Sequence, residues 1–355
     1  MNLLFLTDEL NYADGVSSQL YYLLTGLIKK NDLRLSVMCS GGDGVEKFRA
    51  AGIDIILNEN LNHRSRSIKG FLSALKSVSE YCKANKVNII HSHNHYAANI
   101  ASVSLKIRLS KNIRTVQTVH GIIPETGKLN HLSAGTYICV NDHVYNYLKD
   151  KISDEKKINL IYNGIDLKEN KNKNFNSRLR FISAGRLDKG KRVDLFIKAV
   201  SLLSDTIRDK ADFIIAGDGD ESEELKKLNA NLKTGIEFTG QINDLRKLFE
   251  SCDVFVMTSG SEGLPMTILE AAAEKVMVLT SSFDGIGNII KDNSDGLIFP
   301  VDNADELAQK IRFIIENPET INTLTGNFYR SAYEKFNSDI MTGKYYDLYS
   351  KLLTQ

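Results

Sequence analysis

Short apolar runs alternate with longer stretches of helical periodicity along almost the whole chain. In the first half, seven such runs predict strands: Asn2–Thr7, Leu33–Cys39, Asp54–Leu57, Asn88–Ser92, Ile113–Val119, Thr136–Val140 and Lys157–Tyr162. Helical stretches such as Val16–Lys29 and Tyr96–Ile107 lie between several of them. Strands that alternate with helices are typical of a parallel sheet covered on both faces. The pattern therefore predicts a doubly wound α/β, Rossmann-like domain over residues 1–166.

The same pattern begins again after a polar stretch, Asp166–Ser177, which is rich in Asn and Lys and predicts a linker over residues 167–177. Six later runs predict a second Rossmann-like domain over residues 178–338, with helices such as Val193–Leu203 between its strands: Arg178–Ser183, Asp212–Ala216, Gly235–Thr239, Asp253–Thr258, Val276–Ser281 and Gly296–Phe299. A last helix, Asp339–Leu353, is expected to join the halves, so that residues 339–355 complete the first domain. Because ligands bind beyond the carboxyl ends of such strands, two domains facing a central cleft are expected to hold two substrates.

Composition agrees with an ordinary globular protein, since the 355 residues are 42% hydrophobic and 25% charged. No apolar run approaches the roughly 20 residues of a membrane span. The first residues lack a basic region and reach Asp8 at once, which predicts a first strand and a cytoplasmic protein. Four widely separated cysteines are expected to be reduced and buried: Cys39, Cys82, Cys139 and Cys252.

Charge is uneven along the chain although the net charge is only +1. Lys and Arg outnumber Asp and Glu by 20 to 14 up to residue 165 and are outnumbered by 25 to 30 afterwards. Ser65–Lys86 has the pattern of a basic amphipathic helix that contacts an anionic membrane. The alternative is a helix that packs its apolar residues into its own domain: Ile68, Phe71, Leu72, Leu75 and Val78.

A glycine-rich basic loop, Ala184–Arg192, follows the first strand of the second domain. Gly185 and Gly190-Lys191 match most of a Walker A loop, but Arg192 replaces the hydroxyl residue that would hold magnesium. What remains is a cationic loop that leads into a helix. We expect Arg186 and Lys191 to neutralise the phosphate oxygens of a diphosphate without a metal. Two solvated basic side chains are the alternative.

A second motif, Ser259–Lys275, contains two glutamates eight residues apart. Glu262 is expected in a loop and Glu270 in the following helix, with Pro265 as the first helical residue. Side chains of a helix lean toward its N-terminus, so both carboxylates are expected to border the same site. Two carboxylates suit the vicinal hydroxyls of a sugar or ribose, and the backbone of Gly263 and Leu264 offers N–H groups nearby. An acid and base pair of the glycosidase type is the alternative.

These motifs resemble those of the retaining glycosyltransferases of family 4, which have the GT-B fold. The resemblance spans nearly the whole chain and includes several further signatures: Gly217-Asp218-Gly219, Phe238-Thr239-Gly240, His91-Ser92-His93-Asn94, Thr118-Val119-His120-Gly121 and Tyr162-Asn163-Gly164-Ile165-Asp166. The chain departs from the family at two points. Asp14-Gly15 stands where two glycines are common, and Gly285–Asn288 ends in an amide where a glutamate is common.

The resemblance implies a role for each matching residue. Glu270 would hold the nucleotide ribose, Glu262 would face the donor sugar, and Arg186 and Lys191 would grip the diphosphate. His120 would touch the donor sugar and would share catalysis with Arg186, Lys191 and Glu262. The rest of the implied donor site comprises Gly15, Gly240, Ile242, Gly263, Leu264 and Pro265, and the stretch Gly240–Asn243 is expected to meet a uracil. The residues expected near the acceptor or sugar are Asp14, His93, Asn94 and Asn163.

The implied reaction is a retaining, metal-independent transfer. A hexose or N-acetylhexosamine would move from a nucleotide-diphosphate sugar, with UDP favoured, to a lipid-linked or polysaccharide acceptor of a cell-surface glycan. The sugar nucleotide is a substrate, so no cofactor is expected, and no nucleic acid is expected as a partner. The protein would work in the cytoplasm, at the inner face of the membrane if it contacts lipid.

Three alternatives stay open at this point. His91, His93 and His95 alternate along one strand face and could ligate a metal, although all seven histidines fall between residues 63 and 143. The near-Walker loop could serve a nucleoside triphosphatase. A catalytically silent module could bind a sugar nucleotide without transferring the sugar.

Overall fold

The computed structural model describes residues 1–12, 14–64, 67–107, 112–122, 134–167, 173, 178–242 and 244–354. The chain divides into two compact units. Unit 1 comprises Met1–Gly164 and Ser338–Gln355, and unit 2 comprises Ile165–Asn337. The predicted linker begins at the start of unit 2, and its residues 168–172 and 174–177 lie outside the described residues.

Unit 1 contains a parallel sheet of seven strands in the order β3-β2-β1-β4-β5-β6-β7. Its strands are β1 (Asn2–Leu6), β2 (Arg34–Cys39), β3 (Asp54–Leu57), β4 (Ile89–Ser92), β5 (Arg114–Val119), β6 (Thr136–Cys139) and β7 (Ile158–Leu160). Its helices are α1 (Gly15–Leu27), α2 (Val45–Ala50), α3 (Ile68–Ala84), α4 (His95–Ile107), α5 (Asp142–Lys151) and the C-terminal helix α13 (Ser338–Thr354).

Both faces of this sheet are buried, which explains why its strands are continuous apolar runs rather than alternating ones. Leu3 and Phe5 of β1 belong to the core that contains α1 and α13. Leu4 and Leu6 point to the other face and pack in the core formed with α3 and α4. Successive side chains of a strand point to opposite faces, so four consecutive apolar residues supply both cores.

Unit 2 contains a parallel sheet of six strands in the order β10-β9-β8-β11-β12-β13. Its strands are β8 (Leu179–Ala184), β9 (Ala211–Ala216), β10 (Glu237–Gly240), β11 (Val254–Met257), β12 (Met277–Ser281) and β13 (Leu297–Phe299). Its helices are α6 (Val193–Ser201), α7 (Asp205–Arg208), α8 (Ser222–Leu232), α9 (Leu245–Glu250), α10 (Met266–Ala273), α11 (Ala304–Glu316) and α12 (Thr320–Lys335). One core cluster joins strand residues such as Phe181 and Val256 to Phe196 of α6 and Ile311 of α11.

The predicted fold class is confirmed, because both sheets are parallel and doubly wound. Every predicted strand is present in the described part of the chain, with ends within two residues of the prediction. The strand order reverses between β1 and β4 in unit 1 and between β8 and β11 in unit 2. Ligands of open parallel sheets bind beyond the carboxyl ends of the strands at such reversals. A ligand site is therefore expected in the loops that follow these four strands.

Two details differ from the sequence prediction. Pro265 is not the first helical residue: its ψ of 115° is extended, and α10 begins at Met266. In α3, Leu75 and Val78 are buried and Phe71 is half-buried, as packing predicts, but Ile68 and Leu72 are 83% and 59% exposed. Residues 65 and 66 of the predicted basic helix lie outside the described residues. Among the described helices, none is long and apolar enough to span a bilayer.

Candidate functional site

The basic loop after β8 is organised by one carboxylate. Asp188 accepts hydrogen bonds from the backbone N–H groups of Gly190 and Lys191 at 2.9 and 3.2 Å. The same side chain accepts a hydrogen bond from Nε of Arg186 at 2.8 Å. The Arg186 side chain is 62% exposed, so its guanidinium keeps access to solvent. Asp188 therefore holds the turn in place and orients Arg186 without burying the charge.

The glycines of Gly217-Asp218-Gly219 permit a close contact between two loops. Gly217 has a φ of +136°, and a Cβ there would lie 1.9 Å from the carbonyl oxygen of Gly185. A Cβ on Gly219 would lie 2.4 Å from the carbonyl oxygen of Leu187. The backbone N–H of Leu187 donates to the carbonyl of Asp218 at 2.9 Å. This signature thus supports the basic loop through its backbone.

The loop that carries Glu262 is attached to the basic loop. The hydroxyl of Thr258 donates to the carbonyl of Lys191 at 2.7 Å, and the N–H of Gly260 donates to the carbonyl of Gly190 at 3.2 Å. Nζ of Lys191 donates to Oε1 of Glu262 at 2.6 Å. The side chains of this pair are 29% and 15% exposed. The structure therefore brings the two predicted motifs together at the reversal point of unit 2.

The remaining predicted donor residues of unit 2 lie at and after the end of β10 and after β11. Gly263 is half-buried, whereas Leu264 and Pro265 are buried. Glu270 is buried in α10, the helix that starts directly after this loop. Gly240 ends β10, and its carbonyl accepts a hydrogen bond from the N–H of Gly217 at 2.8 Å. Ile242 is half-buried, and Asn243 lies outside the described residues.

A small concavity lies between the carboxyl ends of β8 and β11, with Gly185, Arg186, Lys191 and Ser259 in its wall. The hydroxyl of Ser259 is buried and has no hydrogen-bond partner among the described residues. Sequence reasoning did not single out Ser259, because one serine in a loop carries no signal of its own. Polar groups that converge on a concavity at this edge are typical of a ligand site.

Arg192, at the position of the Walker hydroxyl residue, pairs with two carboxylates of unit 2. Its backbone is left-handed, with a φ of +50°, and its guanidinium bonds to Asp302. Nε of Arg192 also lies 3.5 Å from Asp194. The side chain is therefore held by carboxylates of its own unit. The ammonium group of Lys191 pairs with Glu262.

In unit 1, two predicted site residues cap helices. Asp14 precedes α1 and accepts a hydrogen bond from the N–H of Ser17 at 2.9 Å. Asn94 precedes α4 and accepts a hydrogen bond from the N–H of Ala97 at 2.7 Å. Such caps satisfy backbone N–H groups that have no partner inside the helix. Gly15 is the exposed first residue of α1, and Asn163 is buried beyond β7.

His91, His93 and His120 form a polar cluster at the ends of β4 and β5, in which His91 and His93 are buried. His91 contacts the hydroxyls of Tyr349 at 2.6 Å and Thr118 at 2.8 Å through its two ring nitrogens. Nδ1 of His93 lies 3.1 Å from Nε2 of His120. His95 does not continue the alternation, because it begins α4. No group of three or more His, Cys, Asp or Glu able to hold a metal occurs among the described residues.

Burial sets the charge of this cluster. It lowers the pKa of His91 to about 3 and that of His120 to about 4, and it lowers the pKa of His93 well below its usual value. These imidazoles are therefore neutral near pH 7 and can both donate and accept a hydrogen bond. All four cysteines are free and buried, as predicted.

Two protein-family models match this chain. Residues 13–169 match the family model described as Glycosyltransferase Family 4. Residues 165–331 match the model described as Glycosyl transferases group 1. The chain belongs to the family 4 glycosyltransferases. The two matches together cover both sets of motifs, and the predicted family is confirmed.

Several curated relatives are named for transfer to sugars linked to undecaprenol diphosphate. An Escherichia coli relative, 25% identical over 81% of each chain, is named UDP-Gal:α-D-GlcNAc-diphosphoundecaprenol α-1,3-galactosyltransferase. A Campylobacter jejuni relative, 26% identical, is named N,N'-diacetylbacillosaminyl-diphospho-undecaprenol α-1,3-N-acetylgalactosaminyltransferase. That match covers 66% of this chain and 65% of the relative. A further C. jejuni relative, also an N-acetylgalactosaminyltransferase, is 32% identical over 40% of each chain.

Solved structures agree on the fold. Anabaena HepE in complex with UDP has a TM-score of 0.79 at 19% identity, with 99% of this chain and 100% of that chain covered. Sucrose-phosphate synthase from Thermosynechococcus elongatus has a TM-score of 0.80 at 17% identity, with 99% of each chain covered. At such identities the likeness shows the fold alone, and that fold is GT-B.

Proposed function

We propose that this family 4 member is a retaining, metal-independent glycosyltransferase. It moves a hexose or N-acetylhexosamine from a UDP-sugar to a lipid-linked acceptor in cell-surface glycan synthesis. The observation that carries the proposal is the cluster of Arg186, Lys191 and Glu262 at the reversal point of unit 2. Two cations suit a diphosphate, and the adjoining carboxylate suits the hydroxyls of a sugar.

The residues of unit 2 then take separate roles toward the donor. Arg186 and Lys191 bind the diphosphate, Glu262 faces the sugar, and Glu270 accepts hydrogen bonds from the ribose. Gly263 and Leu264 lie shortly before the start of α10, where the helix dipole favours an anion. Gly240 and Ile242 border the base.

In the reaction, the bond between the anomeric carbon and a β-phosphate oxygen of UDP breaks. The oxygen of the acceptor hydroxyl forms its bond to the same face of that carbon, and its proton passes to the departing phosphate oxygen. Negative charge grows on the diphosphate as the bond breaks, so Arg186 and Lys191 stabilise the transition state more than the ground state. His120 contacts the donor sugar, and Gly15, Asp14, His93, Asn94 and Asn163 belong to the sugar and acceptor side.

Two further observations support the lipid-linked acceptor and a place at the inner face of the membrane. The named E. coli and C. jejuni relatives use undecaprenol-diphosphate acceptors. In unit 1, the exposed apolar side chains of Ile68 and Leu72 lie on the same face of α3, four residues apart, next to Lys69 and Lys76. Exposed apolar residues flanked by lysines suit an anionic lipid surface.

The decisive experiment is a thermal-shift panel with UDP, GDP, ADP and ATP, each with and without magnesium. The panel compares the unchanged protein with Glu270→Ala and with Glu223→Ala, which removes an exposed helix glutamate of unit 2. Stabilisation by UDP without magnesium, lost in Glu270→Ala and kept in Glu223→Ala, is the expected result. A response to magnesium-ATP alone, unchanged by Glu270→Ala, would establish the triphosphatase instead.

A second measurement separates transfer from silent binding. The protein is given UDP-sugars and an undecaprenyl-diphosphate-linked sugar, and UDP release is followed. Release that depends on the acceptor supports the proposal. Binding of the donor without UDP release for any acceptor would leave only a sugar-nucleotide-binding module.

A further inference from the structure

His93 and His120 form a hydrogen-bonded pair in unit 1. His93 follows β4 and His120 follows β5, and these neighbouring strands pair in parallel, with Ser92 opposite Gln117. The side chains that follow them therefore meet at one edge of the sheet. Nδ1 of His93 and Nε2 of His120 are 3.1 Å apart. The backbone N–H of His93 donates to the carbonyl of Leu6 at 2.9 Å, which fixes the base of the side chain.

The ring of His93 is enclosed. The residue is 3% exposed, and its ring lies 4.5 Å from that of His91 and 6.1 Å from that of Phe5, measured between centroids. Its Nε2 is buried and has no hydrogen-bond partner among the described residues. The hydrogen bond at Nδ1 therefore decides which ring nitrogen of His93 carries the proton.

A single hydrogen bond between two neutral imidazoles requires one ring to donate and the other to accept. If His120 donated from Nε2, the proton of His93 would sit on its own Nε2, as a buried N–H without an acceptor. Buried N–H groups without an acceptor are rarer in proteins than buried acceptors without a donor. The arrangement therefore favours a proton on Nδ1 of His93, donated to Nε2 of His120.

The tautomer of His93 determines the tautomer of His120. With Nε2 of His120 accepting, the proton of His120 lies on Nδ1, and no described residue bonds to that nitrogen. His120 is half-buried, so part of the residue remains open to solvent. We propose that His93 is a positioning residue that sets the tautomer and ring orientation of His120. In this state His120 offers an N–H donor to a hydroxyl oxygen of the donor sugar, and this last step rests on the proposed function.

The test compares His93→Phe with His93→Asn. Phenylalanine fills the same space without a donor, whereas the amide of asparagine can place an N–H near the position of Nδ1. Nitrogen-15 NMR of the histidine rings is expected to show His120 protonated on Nδ1 in the unchanged protein. His93→Phe should shift His120 toward the Nε2 tautomer and lower kcat/KM about tenfold, which is the effect of one lost hydrogen bond. His93→Asn should restore much of the Nδ1 tautomer of His120 and much of the kcat/KM.

Tyr349→Phe is the matched control. It removes a buried hydrogen bond to His91, next to His93, and leaves the His93–His120 contact in place. It should lower stability but change neither the tautomer of His120 nor kcat/KM.

Two NMR results would overturn the inference: His120 protonated on Nε2 in the unchanged protein, or an unchanged tautomer in His93→Phe. Full activity of His120→Ala would instead contradict the contact with the donor sugar that is assigned to His120. Because the NMR measurement needs no substrate, it separates that failure from a failure of the role of His93.

Discussion

The ammonium group of Lys191 lies 2.6 Å from Oε1 of Glu262, although the two residues are 71 positions apart in the chain. The pair joins the cation expected at the diphosphate to the carboxylate expected at the sugar. If Lys191 binds the diphosphate as proposed, an incoming diphosphate competes with Glu262 for the same ammonium group. This competition gives the two residues opposite effects on nucleotide binding.

We expect Lys191→Ala and Glu262→Gln to separate binding from transfer. Lys191→Ala removes a charge-assisted hydrogen bond to the diphosphate and should weaken UDP binding at least about tenfold. Glu262→Gln frees the ammonium group and should leave UDP binding equal or tighter, while transfer from the UDP-sugar falls. Calorimetric titration with UDP and initial rates measure the two effects. Lys226→Ala, which breaks an exposed pair with Glu223, should change neither. Equal loss of UDP binding in Lys191→Ala and Glu262→Gln would contradict this competition.

Gly217→Ala should be strongly destabilising because its Cβ would meet the backbone of Gly185. The predicted contact of 1.9 Å and the φ of +136° leave no room for a side chain. We expect a loss of about 3 kcal/mol in the free energy of unfolding. Gly235→Ala, with a φ of +74° but nothing within 4 Å of its Cβ, should lose only about 1 kcal/mol. Denaturant unfolding measures the free energy of unfolding of both variants. Similar losses in the two variants would show that the contact between Gly217 and Gly185 does not cause the destabilisation.

Stability should fall as the pH falls below the usual histidine pKa of about 6.5. In the folded protein burial lowers the pKa of His91 to about 3 and of His120 to about 4, so both rings stay neutral while the unfolded chain takes up protons. Each ring then lowers the free energy of unfolding by up to about 1.4 kcal/mol for each pH unit between about pH 6.5 and its pKa in the folded protein. Denaturant unfolding at about pH 7, 6 and 5 measures the slope.

His120→Ala removes one of these groups and should reduce that slope. His63→Gln is the comparison, since His63 is exposed and lies outside the histidine cluster. A stability that is constant from about pH 7 to 5 would show that these histidines are not neutral in the fold.

The exposed face of α3 should determine binding to anionic lipid. We expect the double variant Ile68→Ser with Leu72→Ser to bind phosphatidylglycerol vesicles at least about tenfold more weakly, since two apolar side chains no longer enter the lipid surface. Added salt should also weaken binding, through Lys69 and Lys76. Vesicle co-sedimentation measures the affinity. Leu202→Ser removes a similarly exposed leucine, 49% exposed, from unit 2 and should have no effect. Loss of binding in that control, or none in the double variant, would assign the membrane contact elsewhere.

Much of the candidate site could be predicted from the sequence because its motifs are short and continuous. The loops of Gly185–Lys191 and Gly217–Gly219 follow apolar strands, and the carboxyl ends of parallel strands share one edge of a sheet. Pro265 shows the limit of such reading. Its fixed φ suits a first helical residue, yet ψ decides the helix start, and here the backbone turns only at Met266.

The sequence by itself determined the two repeated α/β units, the family and the loops that carry the charged residues. Hydrophobic periodicity records which faces a strand or helix buries, and that information is contained in a few neighbouring residues. Only the tertiary structure decided that Lys191 meets Glu262, that His93 meets His120 and that Ile68 stays exposed. These relations depend on strand order and on the direction of single side chains, and both arise from packing between segments that are distant in the chain.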